Sequence, residues 1–115
     1  MKNIKFFKNW NQKLCCDIFS TIRRSTLEKA EYYRGAVGEV FEVMLEKKHY
    51  CYARLFQVIP HSSLRCIPNG ILMLDVGTSD VKELEKVFKK FGVTWRQTPV
   101  MSLWFQKIEE KGGNI

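Results

Sequence analysis

Two segments of alternating hydrophobicity, separated by a few polar residues, constrain this chain most. Over residues 37–46, Glu39, Phe41, Val43 and Leu45 alternate with Val40, Glu42 and Met44. That period of two places successive side chains on opposite faces of a strand. Glu46-Lys47-Lys48-His49 reads as a polar turn, and residues 50–59 as the returning strand. On that strand Tyr50, Tyr52, Arg54, Phe56 and Val58 share one face, and Cys51, Ala53, Leu55, Gln57 and Ile59 the other. The small residues of the second face suit a tightly curved interior. Pro60 has no amide hydrogen for a ladder and is expected to end the strand.

A curved hairpin needs further strands and a cover. Ile4-Lys5-Phe6-Phe7 reads as a short first strand. Residues 11–18 read as a short helix, with Leu14, Cys15 and Ile18 on one face. Phe19-Ser20-Thr21-Ile22-Arg23 switches to a β-branched alternation, a second strand, and residues 26–33 form a loop or helical turn closed by Gly35. Ile71-Leu72-Met73-Leu74 is a short apolar segment before Asp75-Val76-Gly77. The strongest helix follows. Ser79 or Asp80 caps it, and Asp80 with Glu83 has capping-box spacing. Val81, Leu84, Val87, Phe88 and Phe91 make its apolar stripe, and Gly92 stops it. Residues 101–108 are a last strand, with Leu103 and Phe105 alternating against Trp104 and Gln106. The expected fold class is α+β: a small, mostly antiparallel β-barrel of about five to six strands with two to three helices. It fills one domain, 1–110, with a frayed tail at 111–115.

At 115 residues and 45% hydrophobic, the chain can bury one core without staples. Its longest purely apolar run, residues 71–74, is far below the roughly 20 residues of a membrane span. The first eight residues lack a secretory apolar region. No membrane association and a cytoplasmic location are therefore expected. The four cysteines read as buried small hydrophobes in a reducing compartment, with a Cys16–Cys51 disulfide left open. There is no CxxC pair, and His49 and His61 stand apart from the cysteines, so no metal site is expected. No Walker loop, HExxH, GxSxG or GxGxxG occurs, and no cofactor is expected.

The charge is uneven. The formal net charge is +7, and the first 34 residues alone carry eight Lys/Arg against three Asp/Glu. Such a patch draws phosphate-rich partners by counterion release, or serves only as a solubility charge. Within it lies Ser20-Thr21-Ile22-Arg23-Arg24-Ser25. On a strand, Thr21 and Arg23 project to one face, and Ile22 and Arg24 to the other. A hydroxyl beside a guanidinium clamps a phosphate or a base edge; alternatively, Arg23 pairs with a carboxylate. Tyr32-Tyr33-Arg34 offers rings for base stacking and a phosphate contact, or the tyrosines plug a barrel end. Asp75 reads either as a turn acceptor entering the late helix or as a site residue. Lys82, Lys86, Lys89 and Lys90 lie off the apolar stripe, as a solvated face or as an RNA-tracking surface.

The order of these elements resembles the ASCH (activating-signal-cointegrator homology) branch of the PUA-like β-barrels. The resemblance spans about residues 4–108. It is carried by residues 4–7, Asp17-Ile18-Phe19-Ser20-Thr21-Ile22-Arg23-Arg24, Gly38-Glu39-Val40-Phe41-Glu42-Val43, Tyr52-Ala53-Arg54-Leu55 and the helix from Ser79. Aligning the family's Gly-x-Lys-x-x-Glu-x-Arg signature on Arg23 puts its Glu at Thr21, its Lys at Ile18 and its Gly at Cys16. Only the Arg is kept. Thr at the Glu position also occurs in the family's small N4-acetylcytidine amidohydrolases, which use a Lys, a Thr and a Glu at the barrel mouth. By that resemblance Thr21 matches the Thr and Asp75 stands for the Glu. The amine that Ile18 cannot supply would come in space from Lys13 or Lys29.

The resemblance implies an RNA- or nucleotide-binding module with Thr21, Arg23 and Arg24 at the cleft and Tyr32, Tyr33 and Arg34 on its rim. RNA or a modified nucleoside is the expected partner, with DNA a further polyanion for the same patch. One alternative is a hydrolase, acting as an amidohydrolase on a modified cytidine nucleoside or as a ribonuclease, with Thr21 and Asp75 catalytic. Another is a protein-interaction module in transcription or translation.

Overall fold

The hairpin forms around a two-residue turn. In the computed structural model, which describes residues 1–108, β3 is Val40–Leu45 and β4 is Lys48–His61. Glu46 and Lys47 turn the chain with φ of 52° and 67°. Two successive positive φ values match the right-handed twist of the flanking strands, so the turn is tighter than the four-residue one expected. Cys51, Ala53 and Leu55 are buried as the alternation requires. A bulge between Leu55 and Gln57 then shifts the register against the last strand. Past it Val58, not Gln57, packs on the core. Pro60 does not end β4; it pairs with Met101 and the strand runs on to His61. β3 pairs with β4 only as far as Arg54, so Pro60 lies where a missing amide hydrogen breaks no ladder.

Three more strands complete one sheet: β1 Lys2–Phe6, β2 Ile18–Arg24 and β5 Val100–Ile108. The order is β1-β3-β4-β5-β2. Every pairing is antiparallel except β1 with β3. The fold is α+β, a five-stranded curled sheet with three helices: α1 Leu27–Gly35, α2 Asn69–Val76 and α3 Val81–Lys89. The expected helix at 11–18 is a 3-10 turn, Trp10–Cys15, interrupted by Gln12 at φ 55°, and Ile18 already belongs to β2. The apolar segment at 71–74 lies within α2. The tail expected at 111–115 and residues 109–110 lie outside the described residues.

The core has two parts. Inside the curl, Phe6 meets Phe19 edge-on, Phe19 stacks on Phe105, Phe105 meets Phe41 edge-on, and Tyr33 stacks on Phe41. Outside it, α2 and α3 bury Leu72, Leu84 and Phe88 with Ile22 of β2 and Val100 of β5. β2 is therefore covered on both faces, although it is an edge strand. The stripe of α3 is carried mainly by Leu84 and Phe88, while Val81 and Phe91 are exposed. All four cysteines are free thiols, and only Cys51 is buried; Cys15, Cys16 and Cys66 are at the surface, unlike the expectation. Among the described residues no helix is long and apolar enough to cross a membrane.

Candidate functional site

The sheet curls so far that its two edges, β1 and β2, face each other across an open seam. Arg23 spans it. Its Nε donates to Thr21 Oγ1 on its own strand at 3.1 Å, and its Nη2 donates to the Lys5 carbonyl of β1 at 3.0 Å. The sequence pattern put Thr21 and Arg23 on one face, and this bond shows them there. The guanidinium also lies 4.9 Å from the centre of the Phe6 ring. Among the described residues Arg23 takes no carboxylate as a hydrogen-bond partner. Its side chain braces the open edges.

A second cation sits on the same ring. Lys13 Nζ lies 5.3 Å from the Phe6 centroid and 3.0 Å from Asp75 Oδ1. Lys13 is only 6% exposed and Asp75 4%. The 3-10 turn places Lys13 here because its neighbour Leu14 is fully buried and pinned. Asn9 Oδ1 accepts from the Leu14 amide, and Lys107 Nζ donates to the Leu14 carbonyl at 2.7 Å. Asp75 comes from the last turn of α2, which ends at Gly77 in the left-handed region with φ 92°. Asp75 is thus not a turn residue. A carboxylate at a helix C-terminus meets the unfavourable end of the dipole, and Lys13 opposes that cost.

Ser20 completes the cluster by donating to the same Asp75 Oδ1 at 3.0 Å. Both donors use one oxygen. No buried side-chain oxygen or nitrogen among the described residues lacks a partner. Asp75 lines a cavity of about 310 Å³. Burial pushes the Lys13 ammonium below its ordinary value, against the pull of Asp75. Burial likewise lowers Arg23, with Tyr33 and Asp75 opposing. A guanidinium still stays charged at any physiological pH.

β1 and the turn after it contribute Lys5, Phe6, Phe7, Trp10 and Lys13 to the cavity wall; Thr21, Ile22, Arg23 and Arg24 come from β2 and Lys29 from α1. Because β2 is an edge strand, residues of both its faces reach the space. Val87, Phe88, Phe91 and Val93 close the apolar side. Thr21, Arg23, Arg24 and Asp75, singled out in the sequence, are thus brought together. Tyr32, Tyr33 and Arg34 are not among the lining residues. Tyr33 is half-buried against Phe41, where burial raises its phenol, and Tyr32 packs edge-on against it at a separate shallow hollow with Met1–Asn3. Ile18, at the family's Lys position, is 52% exposed and does not line the cavity. The amine there belongs to Lys13; Lys29 stands at the rim. Sequence reasoning missed Ser20 as a partner of Asp75 and missed the aromatic wall of Phe7, Trp10 and Phe91. No family model, curated protein or solved structure matches this chain.

Proposed function

We propose that this protein is an ASCH-like, PUA-like module that binds RNA or a nucleotide through the seam cavity. One observation carries the reading. Five cationic side chains, Lys5, Lys13, Arg23, Arg24 and Lys29, and a single carboxylate line one partly aromatic cavity. The cavity is at the small end of the ligand-pocket range, about 300–1,000 Å³, a size for one base or nucleoside. Phe7 and Trp10 offer faces for stacking, as sequence-tolerant single-strand binders use. The Asp75 carboxylate at the wall accepts from a ligand donor, and the cations neutralise phosphate. A buried ion pair stabilises a fold little compared with an apolar pair of the same volume. Its retention at the wall of a cavity is the kind of local sacrifice that functional sites show. We place the module in the cytoplasm, with DNA a weaker competitor for the same charge.

The test is a titration of labelled single-stranded RNA and of tRNA at two salt concentrations, with wild type beside Arg23→Ala. Binding is expected to weaken steeply with salt. The variant is expected to lose about 1–3 kcal/mol of affinity. Because Arg23 also braces the seam, circular dichroism must show the variant folded. Salt-independent binding, or a folded Arg23→Ala that binds like wild type, overturns the proposal.

A second reading has its own support. Lys13, Thr21 and Asp75 share the cavity, as a hydrolase acting on an N-acylated cytidine nucleoside requires. Thr21 accepts a charge-assisted bond from Arg23, which makes its hydroxyl a better donor. In this reading Thr21 and Lys13 polarise the acyl carbonyl, Asp75 takes the proton of the attacking water, and the C–N bond breaks with that proton passing to the departing amine. Turnover of acetylated cytidine that is lost in Lys13→Met and in Thr21→Val would establish it. Absence of turnover by the wild type would rule out this substrate.

A further inference from the structure

The late helix presents charge that the cavity does not use. Lys82, Lys86 and Lys90 recur every four residues of α3 and its C-cap, so they form one row along the helix. All three are exposed, and none makes an ion pair among the described residues. Successive members are about 6 Å apart along the axis at 1.5 Å per residue, close to one nucleotide step of an extended strand. The row is not isolated from the cavity. At 100° per residue, Lys86 and Lys90 flank the side of α3 that carries Val87 and Phe91, both of which line the cavity. Phe91 is 48% exposed at the rim.

Beyond it, Arg24 closes the gap. A Cβ at Gly92 would stand 3.4 Å from Arg24 Nη1, so the guanidinium lies against the backbone just past the end of the row. The lysine row of α3 thus ends next to Phe91 and Gly92, against which Arg24 lies at the cavity. Glu83 and Glu85 border the row on either side, Glu85 three residues from Lys82, and neither forms an ion pair with it among the described residues.

We infer that α3 is the track of a single-stranded RNA whose one unstacked base occupies the seam cavity, with Lys82, Lys86 and Lys90 holding the flanking phosphates. The inference rests on the binding function proposed above and extends it from a cavity to a path. Charge selects the occupant. Evenly spaced cations beside an exposed aromatic fit a strand with one charge per residue and a base to stack.

The experiment compares a labelled mononucleotide, a trinucleotide and a twelve-nucleotide single-stranded RNA. Each is titrated against wild type, Arg23→Ala and the triple variant K82Q/K86Q/K90Q over a series of salt concentrations. The triple variant is expected to bind the twelve-mer at least tenfold more weakly. Its log–log salt slope should be shallower by about 2, from three phosphates at about 0.7 each. Mononucleotide binding should be unchanged, because the row lies outside the cavity wall. Twelve-mer affinity and slope unchanged in the triple variant, with binding lost in Arg23→Ala, would overturn the track and leave the cavity standing. No RNA binding by the wild type at low salt would overturn both. Binding of polyglutamate but not RNA, lost in the triple variant, would reassign the row to an acidic protein partner.

Discussion

The residue that organises the site is Asp75, held by Lys13 and Ser20 through one oxygen. Removing one member of a buried pair strands the other charge. Asp75→Ala is therefore expected to cost about 3–5 kcal/mol in urea unfolding. The double replacement Lys13→Met with Asp75→Leu should cost far less than Asp75→Ala, because no charge remains to desolvate. A double variant as unstable as the single one would show that the pair is needed for folding. Ser20→Ala removes a bond to a charged group, worth about 1.5–3 kcal/mol. It should also release the carboxylate that the cavity presents, so ligand affinity should fall even where stability loss is small.

At the scale of elements, α3 shows how local chemistry sets boundaries. Asp80 accepts from the amides of Lys82 and Glu83 and caps the helix. Asp80→Ala is expected to lose about 1 kcal/mol, read as a shift of the unfolding midpoint at unchanged slope. At the other end Gly92 adopts φ 75°. Gly92→Ala would add the cost of a left-handed residue, about 1–2 kcal/mol, and would set a methyl in contact with the Arg24 guanidinium. If Arg24 lies on the RNA path, this variant should weaken binding of long RNA beyond what its stability predicts. The strand β4 teaches a different lesson. Its bulge at Leu55/Gln57 inverts the faces midway, so one alternation cannot describe all of it.

At the scale of the molecule, the curl and its ends set the pH response. His61, at the end of β4, bonds Ser102 through Nε2 at 3.1 Å. Trp104 Nε1 donates to the same Ser102 oxygen, which keeps both a hydroxyl hydrogen and a second lone pair for His61. Burial pushes His61 below its ordinary value of 6.5. The unfolded chain then takes up the proton first as pH falls. Stability contributed by neutral His61 is complete above about pH 6.5 and declines below it. Thermal unfolding at pH 7.5 and 5.5 should show a drop for wild type that is smaller in His61→Gln. An equal drop in both would assign the response elsewhere. The interior is less forgiving. Phe105 joins Phe19 and Phe41, and Phe105→Ala is expected to lose about 3–5 kcal/mol.

What the sequence determined by itself is local and periodic. Alternation over Phe41, Val43 and Leu45 defined β3. The apolar stripe with Asp80 and Gly92 defined α3, and the Thr21–Arg23 pair on one face of β2 followed from the period of a strand. The basic first third announced a cationic surface. Tertiary structure decided what sequence distance hides. Lys13 and Asp75 are 62 residues apart, and neither carries a local sign that it is buried. Only the curl of the sheet, which brings the edges β1 and β2 together, and the packing of α2 against β2 make them partners. Tyr32 and Tyr33 had the right chemistry for the cavity, but the direction of α1 turned them away. The pattern of a chain records which face of an element is apolar. Which polar residues of different elements converge is set by how those faces pack.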